Sequence, residues 1–387
     1  MNKTIFLIFH GRFPSDKAAS LFTAKNAEAF TAQGIKVTLI VPKRKGLIQS
    51  DYKAYYDIKQ PFSVVYIPII DLFGIKGLEP IAFWLSYISF SIKLRRYLKR
   101  TSMYGDIIYS NEILPLFLVS SVRPNCFYEM HDFPESKIYL FGYFLKKIKW
   151  VLVHNKWKLK ELKKLFSNVS TDKFFYEPNA VDLKDFDISF SKEEAKSKLG
   201  LPLLKKVAIY TGHLYKWKGV YTLAESAKSL PNDFMLVFIG GTKEDVEIFR
   251  NKYADKNGNT AIVSVIGHVE HSQIPLWQKA ADVLILPNTA KEKISAFYTS
   301  PMKLFEYMAS KRPIVATDIP SIREILDETN AIIVKPDNSQ ALAEGIKFAV
   351  SGNERVKMMT EEAWKDVLNH TWDKRAERII DFIINSK

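Results

Sequence analysis

At 387 residues the chain is too long for one hydrophobic core, so two domains are the expectation. It is 47% hydrophobic and 13% aromatic and has one cysteine, Cys126, which excludes an intramolecular disulfide and a cysteine-rich metal site. The formal charge of +14 is uneven, because residues 1–185 hold 28 Lys and Arg against 16 Asp and Glu, whereas residues 186–387 hold 28 against 26. The first half therefore faces something anionic. No nucleic-acid-binding motif is present, so nucleic acid is not the expected partner. The start, MNKTIFLIFHGRFP, reads as a strand and not as a signal peptide. The longest apolar run, Pro80 to Ile92, is too short to span a membrane. These features fit a cytoplasmic protein. Basic clusters interleaved with aromatics, at 93–100, 146–150 and 157–166, fit peripheral attachment to an anionic membrane.

Residues 4–9 predict a buried strand, and 19–33 a helix ended by Gly34. Residues 35–41 predict a second strand, the opening of a doubly wound α/β domain. The intervening turn, HGRFPSDKAAS, is not the G-x-G-x-x-G of dinucleotide enzymes. Strands follow at 64–67, 106–109, 126–130 and 150–154, with a long helix over 79–100 and a basic helix ending near Leu165. The third of these strand regions, 126–130, opens onto His131-Asp132, a pair suited to acid–base or charge-stabilising work at a strand's carboxyl end. Asp185-Phe186-Asp187 has a D-x-D spelling, but it sits at a domain junction and reads as linker.

From Val207 the same grammar restarts. Strands are expected at 207–210, 235–239, 262–266, 283–286, 313–317 and 331–334, with helices beginning at Val220 and near Ser339. A final helix, 372–384, carries an apolar face. The stretch AFYTSPMKLFEYMASKRPIVATDIPSIREIL, residues 296–326, reads as a helix start with Ser300 as cap and Pro301 in the first helical position. Leu304, Phe305, Met308 and Ala309 form its apolar stripe, which leaves Lys303 in the first turn and Glu306 off the stripe. A lysine at a helix start fed by a strand loop suits a phosphate. Strand ends bring Gly212, Lys218, Gly240, Val269 and this helix start to one sheet edge, and Glu306 suits the hydroxyls of a ribose.

The chain resembles the family 4 glycosyltransferases. The resemblance is carried by YTGHLYKWKGVYTLAESA, EPNAVD, VIGHVEHSQIPLWQKAADVLILP and, most specifically, YTSPMKLFEYMASKRPIVATDIPSIREIL. It implies an α/β GT-B fold, with two Rossmann-like doubly wound domains facing a cleft. The acceptor domain would be 1–187 with helix 372–387 crossing back to it, and the donor domain 188–371. The implied enzyme is a retaining, metal-independent hexosyltransferase without cofactor. It would move a sugar from a nucleotide-diphosphate sugar to a lipid-linked or cell-surface glycan precursor. Donor-binding positions implied are Gly212, His213, Lys218, Gly240, Val269, Tyr298, Thr299, Ser300, Pro301, Lys303, Leu304 and Glu306, with no metal ligands. Acceptor-side positions are Arg12, Pro14, Ser15, Ala18, His131 and Asp132, with His131, Lys218 and Glu306 as the catalytic set. Three positions depart from the family pattern. Tyr298 stands where the E-x7-E motif has its first glutamate, His213 replaces an arginine, and Pro14 to Ser20 replace a glycine-rich turn. Tyr298 leaves a rival reading open, a catalytically weak nucleotide-sugar-binding or scaffold subunit.

Overall fold

The structure is a computed structural model that describes residues 3–44, 51–73, 77, 79–253 and 263–386. The chain forms two compact units, Met1–Pro178 with Trp372–Lys387, and Asn179–Thr371. Residues 179–187, read from the sequence as the end of the first domain, fall in the second. Val181 bridges to Thr371 there, and Asn179 Nδ2 donates to the Ser300 carbonyl at 2.5 Å.

Unit 1 runs β1 (Thr4–Ile8), α1 (Ala18–Ala32), β2 (Lys36–Lys43), α2 (Tyr52–Tyr55), β3 (Ser63–Pro68), α3 (Glu79–Thr101), β4 (Ile107–Ser110), α4 (Ile113–Ser120), β5 (Cys126–Met130), α5 (Ile138–Lys147), β6 (Trp150–Val153), α6 (Lys156–Leu165) and β7 (Phe174–Tyr176). Its strands form a seven-stranded sheet ordered β3-β2-β1-β4-β5-β6-β7. Every pairing is parallel, so the central strands are buried on both faces and read as continuous apolar runs. Alternation sorts the side chains. Ile108 and Tyr128 point into a core with Phe90 and Leu94 of α3, Leu116 of α4 and Phe141 and Phe144 of α5. Tyr109 and Phe127 stack at 4.7 Å on the opposite face, against Phe30 of α1.

Unit 2 runs α7 (Lys192–Lys198), β8 (Lys206–Thr211), α8 (Val220–Ser226), β9 (Phe234–Ile239), α9 (Lys243–Tyr253), β10 (Val263–Gly267), α10 (Ile274–Ala280), β11 (Val283–Leu286), α11 (Met302–Ala309), β12 (Ile314–Thr317), α12 (Pro320–Arg323), β13 (Ile332–Val334), α13 (Ser339–Ala349) and α14 (Glu354–Val367). Its parallel sheet has the order β10-β9-β8-β11-β12-β13. Ile262, the expected first residue of β10, lies outside the described residues. The last helix, α15 (Trp372–Asn385), belongs to unit 1 and packs on α1, with Trp372 edge-on to Phe22 at 5.2 Å.

Both sheets reverse strand order once, between β1 and β4 and between β8 and β11. In open α/β sheets the carboxyl end of such a switch point is where ligands bind. The expectation of two Rossmann-like parallel sheets is met. No described helix is long and apolar enough to cross a membrane.

Candidate functional site

At the switch point of unit 2, β8 ends at Thr211 before Gly212, and β11 ends at Leu286 before Pro287. Two glycines set the backbone. Gly219 has φ +74°, and a Cβ there would lie 1.8 Å from the Pro287 carbonyl oxygen, so the turn after β8 sits directly on the end of β11. Gly212 has φ +126°, and a Cβ there would lie 2.6 Å from Lys303 Nζ. Glycine is thus the residue that lets the Lys303 ammonium reach the end of β8. That ammonium donates to the Thr211 carbonyl and lies 3.9 Å from the centroid of the Tyr210 ring. The Tyr307 hydroxyl, one turn along α11, accepts from the Thr211 amide at 2.9 Å and fixes helix to strand. Gly240, at the end of β9, closes the same edge, its amide donating to Gly267 at 2.6 Å.

Lys218 lies in the short 3-10 turn Lys216–Lys218, its ammonium 3.8 Å from the centroid of the Trp217 ring. Burial pushes its pKa down to about 8. Burial, reinforced by the Lys218 charge, holds Lys303 well below the usual lysine range, and Glu306 offsets part of this. His213 stacks on Tyr215 at 4.9 Å and is likewise lowered by burial and by Lys218, so it is neutral near pH 7. Among the described residues neither lysine has a carboxylate at ion-pair distance. Two half-buried ammonium groups without a counter-ion among the described residues describe a place for an anion.

The helix start differs from expectation. α11 begins at Met302, Pro301 is the cap residue with extended backbone, and no side chain caps the helix. Ser300 instead gives its carbonyl to Asn179, whose Oδ1 is buried without a hydrogen-bond partner. Tyr298 ends a π-helical turn, Ile294–Tyr298, and the Thr299 amide returns to Ile294. Leu304 is core, and its amide donates to the Pro301 carbonyl at 3.1 Å, which anchors the helix start. Val269 packs on the same core. Glu306 stands as the sequence suggested, off the apolar stripe and 13% exposed. The sequence did not reveal its neighbours. His271 Nε2 lies 3.4 Å from Glu306 Oε1, and Gln278 Nε2 donates to Oε2 at 3.4 Å.

Unit 1 places its expected residues in two groups. Arg12 and Ala18 are exposed, while Pro14 and Ser15 are buried, with the Ser15 amide donating to the Tyr56 hydroxyl at 2.8 Å. His131 does not pair with Asp132, which is exposed. Two residues apart at a strand end share a face, so His131 turns toward Glu129, its Nε2 3.7 Å from Oε1. Glu129 is buried and accepts from Tyr109 Oη at 2.6 Å and from Arg375 Nη2 of α15 at 2.5 Å. Burial pushes its pKa up, but Arg375 and the histidines outweigh that and hold it well below the carboxylate range. His154, 3.2 Å from the same oxygen, is pushed down to about 3 by burial and stays neutral. Glu129, His131 and His154 offer donor atoms within 4.8 Å of one another. A metal ion there would meet the Arg375 guanidinium already seated on the shared oxygen. A further cluster, unseen in the sequence, occupies the β1/β4 switch point. Arg44 donates to the His10 carbonyl at 2.8 Å, and Glu112 accepts from the His10 amide at 3.3 Å.

Residues 191–366, all within unit 2, match the model of the family described as glycosyl transferases group 1. HepE of Anabaena, in complex with UDP and glucose, superimposes with a TM-score of 0.75 over 99% of each chain at 15% identity. The fold is that of the GT-B glycosyltransferases. The chain is 28% identical over 156 residues to TuaC of Bacillus subtilis (strain 168), named for a glycosyltransferase of teichuronic acid biosynthesis, covering 40% of this chain and 36% of that protein. It is 27% identical over 173 residues to LpsB of Rhizobium meliloti (strain 1021), named a lipopolysaccharide core biosynthesis mannosyltransferase, covering 43% and 47%. The chain thus spans less than half the length of these curated relatives.

Proposed function

We propose that the chain is a retaining, metal-independent hexosyltransferase that uses a nucleotide-diphosphate sugar. The observation that carries this reading is the pair of half-buried lysines, Lys218 and Lys303, without carboxylate partners among the described residues, at the switch point of unit 2. A diphosphate leaving group gains negative charge as the glycosidic bond breaks. Fixed cations that need no reorganisation stabilise that charge most when water is excluded. Glu306, oriented by His271 and Gln278, is a carboxylate that accepts ribose hydroxyls. Unit 1, with His131, is assigned to the acceptor half of the reaction. The acceptor is a lipid-linked or cell-surface glycan precursor at the cytoplasmic face of the membrane. The names of TuaC and LpsB, and the UDP and glucose in HepE, support this class of chemistry.

Titration calorimetry with a panel of nucleoside diphosphates, then release of nucleotide from sugar nucleotides in the presence of membrane extract, tests the reading. Binding with release supports it, and absence of both overturns it. The second reading, a nucleotide-sugar-binding scaffold, is favoured by Tyr298 in place of the first motif glutamate. Binding without release would establish it.

A further inference from the structure

Unit 1 carries an apolar surface that its own packing leaves open. On α3, Ile81, Trp84, Leu85, Ile88 and Ile92 are each between 37% and 55% exposed. Their three- and four-residue spacing puts them on one face of the helix. The same spacing continues into Arg95, Arg96 and Lys99, so the face turns from apolar to cationic along its length. From Ile81 to Lys99 it runs about 27 Å at the usual helical rise. α5 repeats the pattern on a smaller scale. Tyr139 and Tyr143, at 95% and 54% exposed, are followed at helical spacing by the exposed Lys146 and Lys147.

Both helices pack on the same face of the sheet through one core, and α4 joins them. Phe117 of α4 meets Tyr143 at 5.7 Å, and Arg95 Nε donates to Ser121, which follows α4, at 3.0 Å. Among the described residues, Lys93, Arg96, Lys99, Arg100, Lys146 and Lys147 have no carboxylate partner. Side chains whose apolar bodies and charged tips lie along one exposed face suit the boundary between acyl chains and headgroups.

The geometry points to an anionic lipid bilayer as the occupant of the α3 and α5 surface. Apolar side chains of the first turns enter the headgroup region, and the cations of the last turns meet lipid phosphates. The third basic cluster seen in the sequence, on α6, differs, because Lys158 is buried and its ammonium serves the His131 carbonyl. This inference adds a partner to the glycosyltransferase reading, and its test does not depend on that reading.

The full chain is sedimented with vesicles of phosphatidylcholine alone or of phosphatidylcholine with phosphatidylglycerol. The wild type is expected to bind the anionic vesicles and to dissociate as salt is raised. Each Lys or Arg near an anionic surface is worth roughly a fivefold change in partitioning, so Arg96→Glu with Lys99→Glu is expected to weaken binding at least roughly 25-fold. Trp84→Glu with Ile88→Glu is expected to lose it as well. All four positions are exposed, so both variants keep the wild-type melting temperature and the wild-type affinity for nucleoside diphosphate. The latter is read by calorimetry on the same preparations and reports separately on the proposed function. The inference is overturned if the wild type ignores anionic vesicles or if either folded variant binds them unchanged. It is also overturned if the wild type ignores the vesicles and is a dimer that Trp84→Glu with Ile88→Glu makes monomeric, for then a second copy covers the face.

Discussion

Replacing Lys218 by methionine separates binding from folding, because the two respond with opposite signs. The Lys218 pKa lies at about 8, against 10.5 for a free lysine. A folded-state pKa below the unfolded value means that the unfolded chain holds the proton more tightly. The charge therefore opposes folding at every pH below about 8, and the penalty fades as pH rises toward the unfolded value. Its full size is about 3 kcal/mol, reduced to roughly 2 because the side chain is only partly sequestered from solvent. Methionine keeps the stem's volume over Trp217 and removes the charge. Lys218→Met is expected to be as stable as wild type or up to roughly 2 kcal/mol more stable at pH 7, an advantage that shrinks as pH is raised. Affinity moves the other way. A hydrogen bond to a charged group contributes about 1.5 to 3 kcal/mol, so affinity for the preferred nucleoside diphosphate is expected to fall roughly 10- to 150-fold. Thermal unfolding across this pH range, together with calorimetric titration, reads both quantities. A variant that melts lower at pH 7 yet binds nucleotide as tightly as wild type would refute the reasoning, since Lys218 would then be a structural cation.

Wild-type affinity for a nucleoside diphosphate is expected to hold up to about pH 8 and to fall above it as Lys218 loses its proton; titrations at rising pH check this, and constant affinity through pH 10 would contradict the cation's role. Glu306→Gln retains shape but not charge, and is expected to weaken nucleoside diphosphate binding about tenfold while inorganic pyrophosphate binds as before. Equal losses for both ligands would remove Glu306 from the ribose. Arg375→Met leaves Glu129 buried without its guanidinium, a change expected to destabilise the protein by about 3 to 5 kcal/mol in denaturant unfolding.

How much of this was legible in the sequence follows from how local each feature is. Parallel strands buried on both faces announce themselves as short apolar runs, so β1, β5 and β11 were readable nearly residue for residue. The alternation of strand and helix gave the two doubly wound sheets. The lysines and Glu306 were readable as residue types at strand and helix ends. Their electrostatic state was not, because it depends on Tyr210, Trp217 and Gly212 closing around them. Ser300 misled because a serine before a proline resembles a cap in one dimension, whereas Pro301 takes the cap position and Ser300 is claimed by Asn179 from another segment. Glu129 and Arg375 are 246 positions apart, and no periodicity links them.

The same contrast governs the α3 face. As a string, Pro80 to Ile92 is an apolar run that falls short of a membrane span, a property of total hydropathy. Folded, the run divides. Ala82 is buried and Phe90 goes into the core with the sheet, while Ile81, Trp84, Ile88 and Ile92 stay outside on one stripe. A helix that needed only to cover the sheet could carry polar residues at those outer positions, since half-exposed apolar groups gain less from folding than buried ones. Their placement in line with Arg96 and Lys99 gives the face one polarity from end to end, and α5 repeats that order with tyrosines before lysines. Two helices that share a sheet face thus present the same order of apolar then basic groups along their exposed sides.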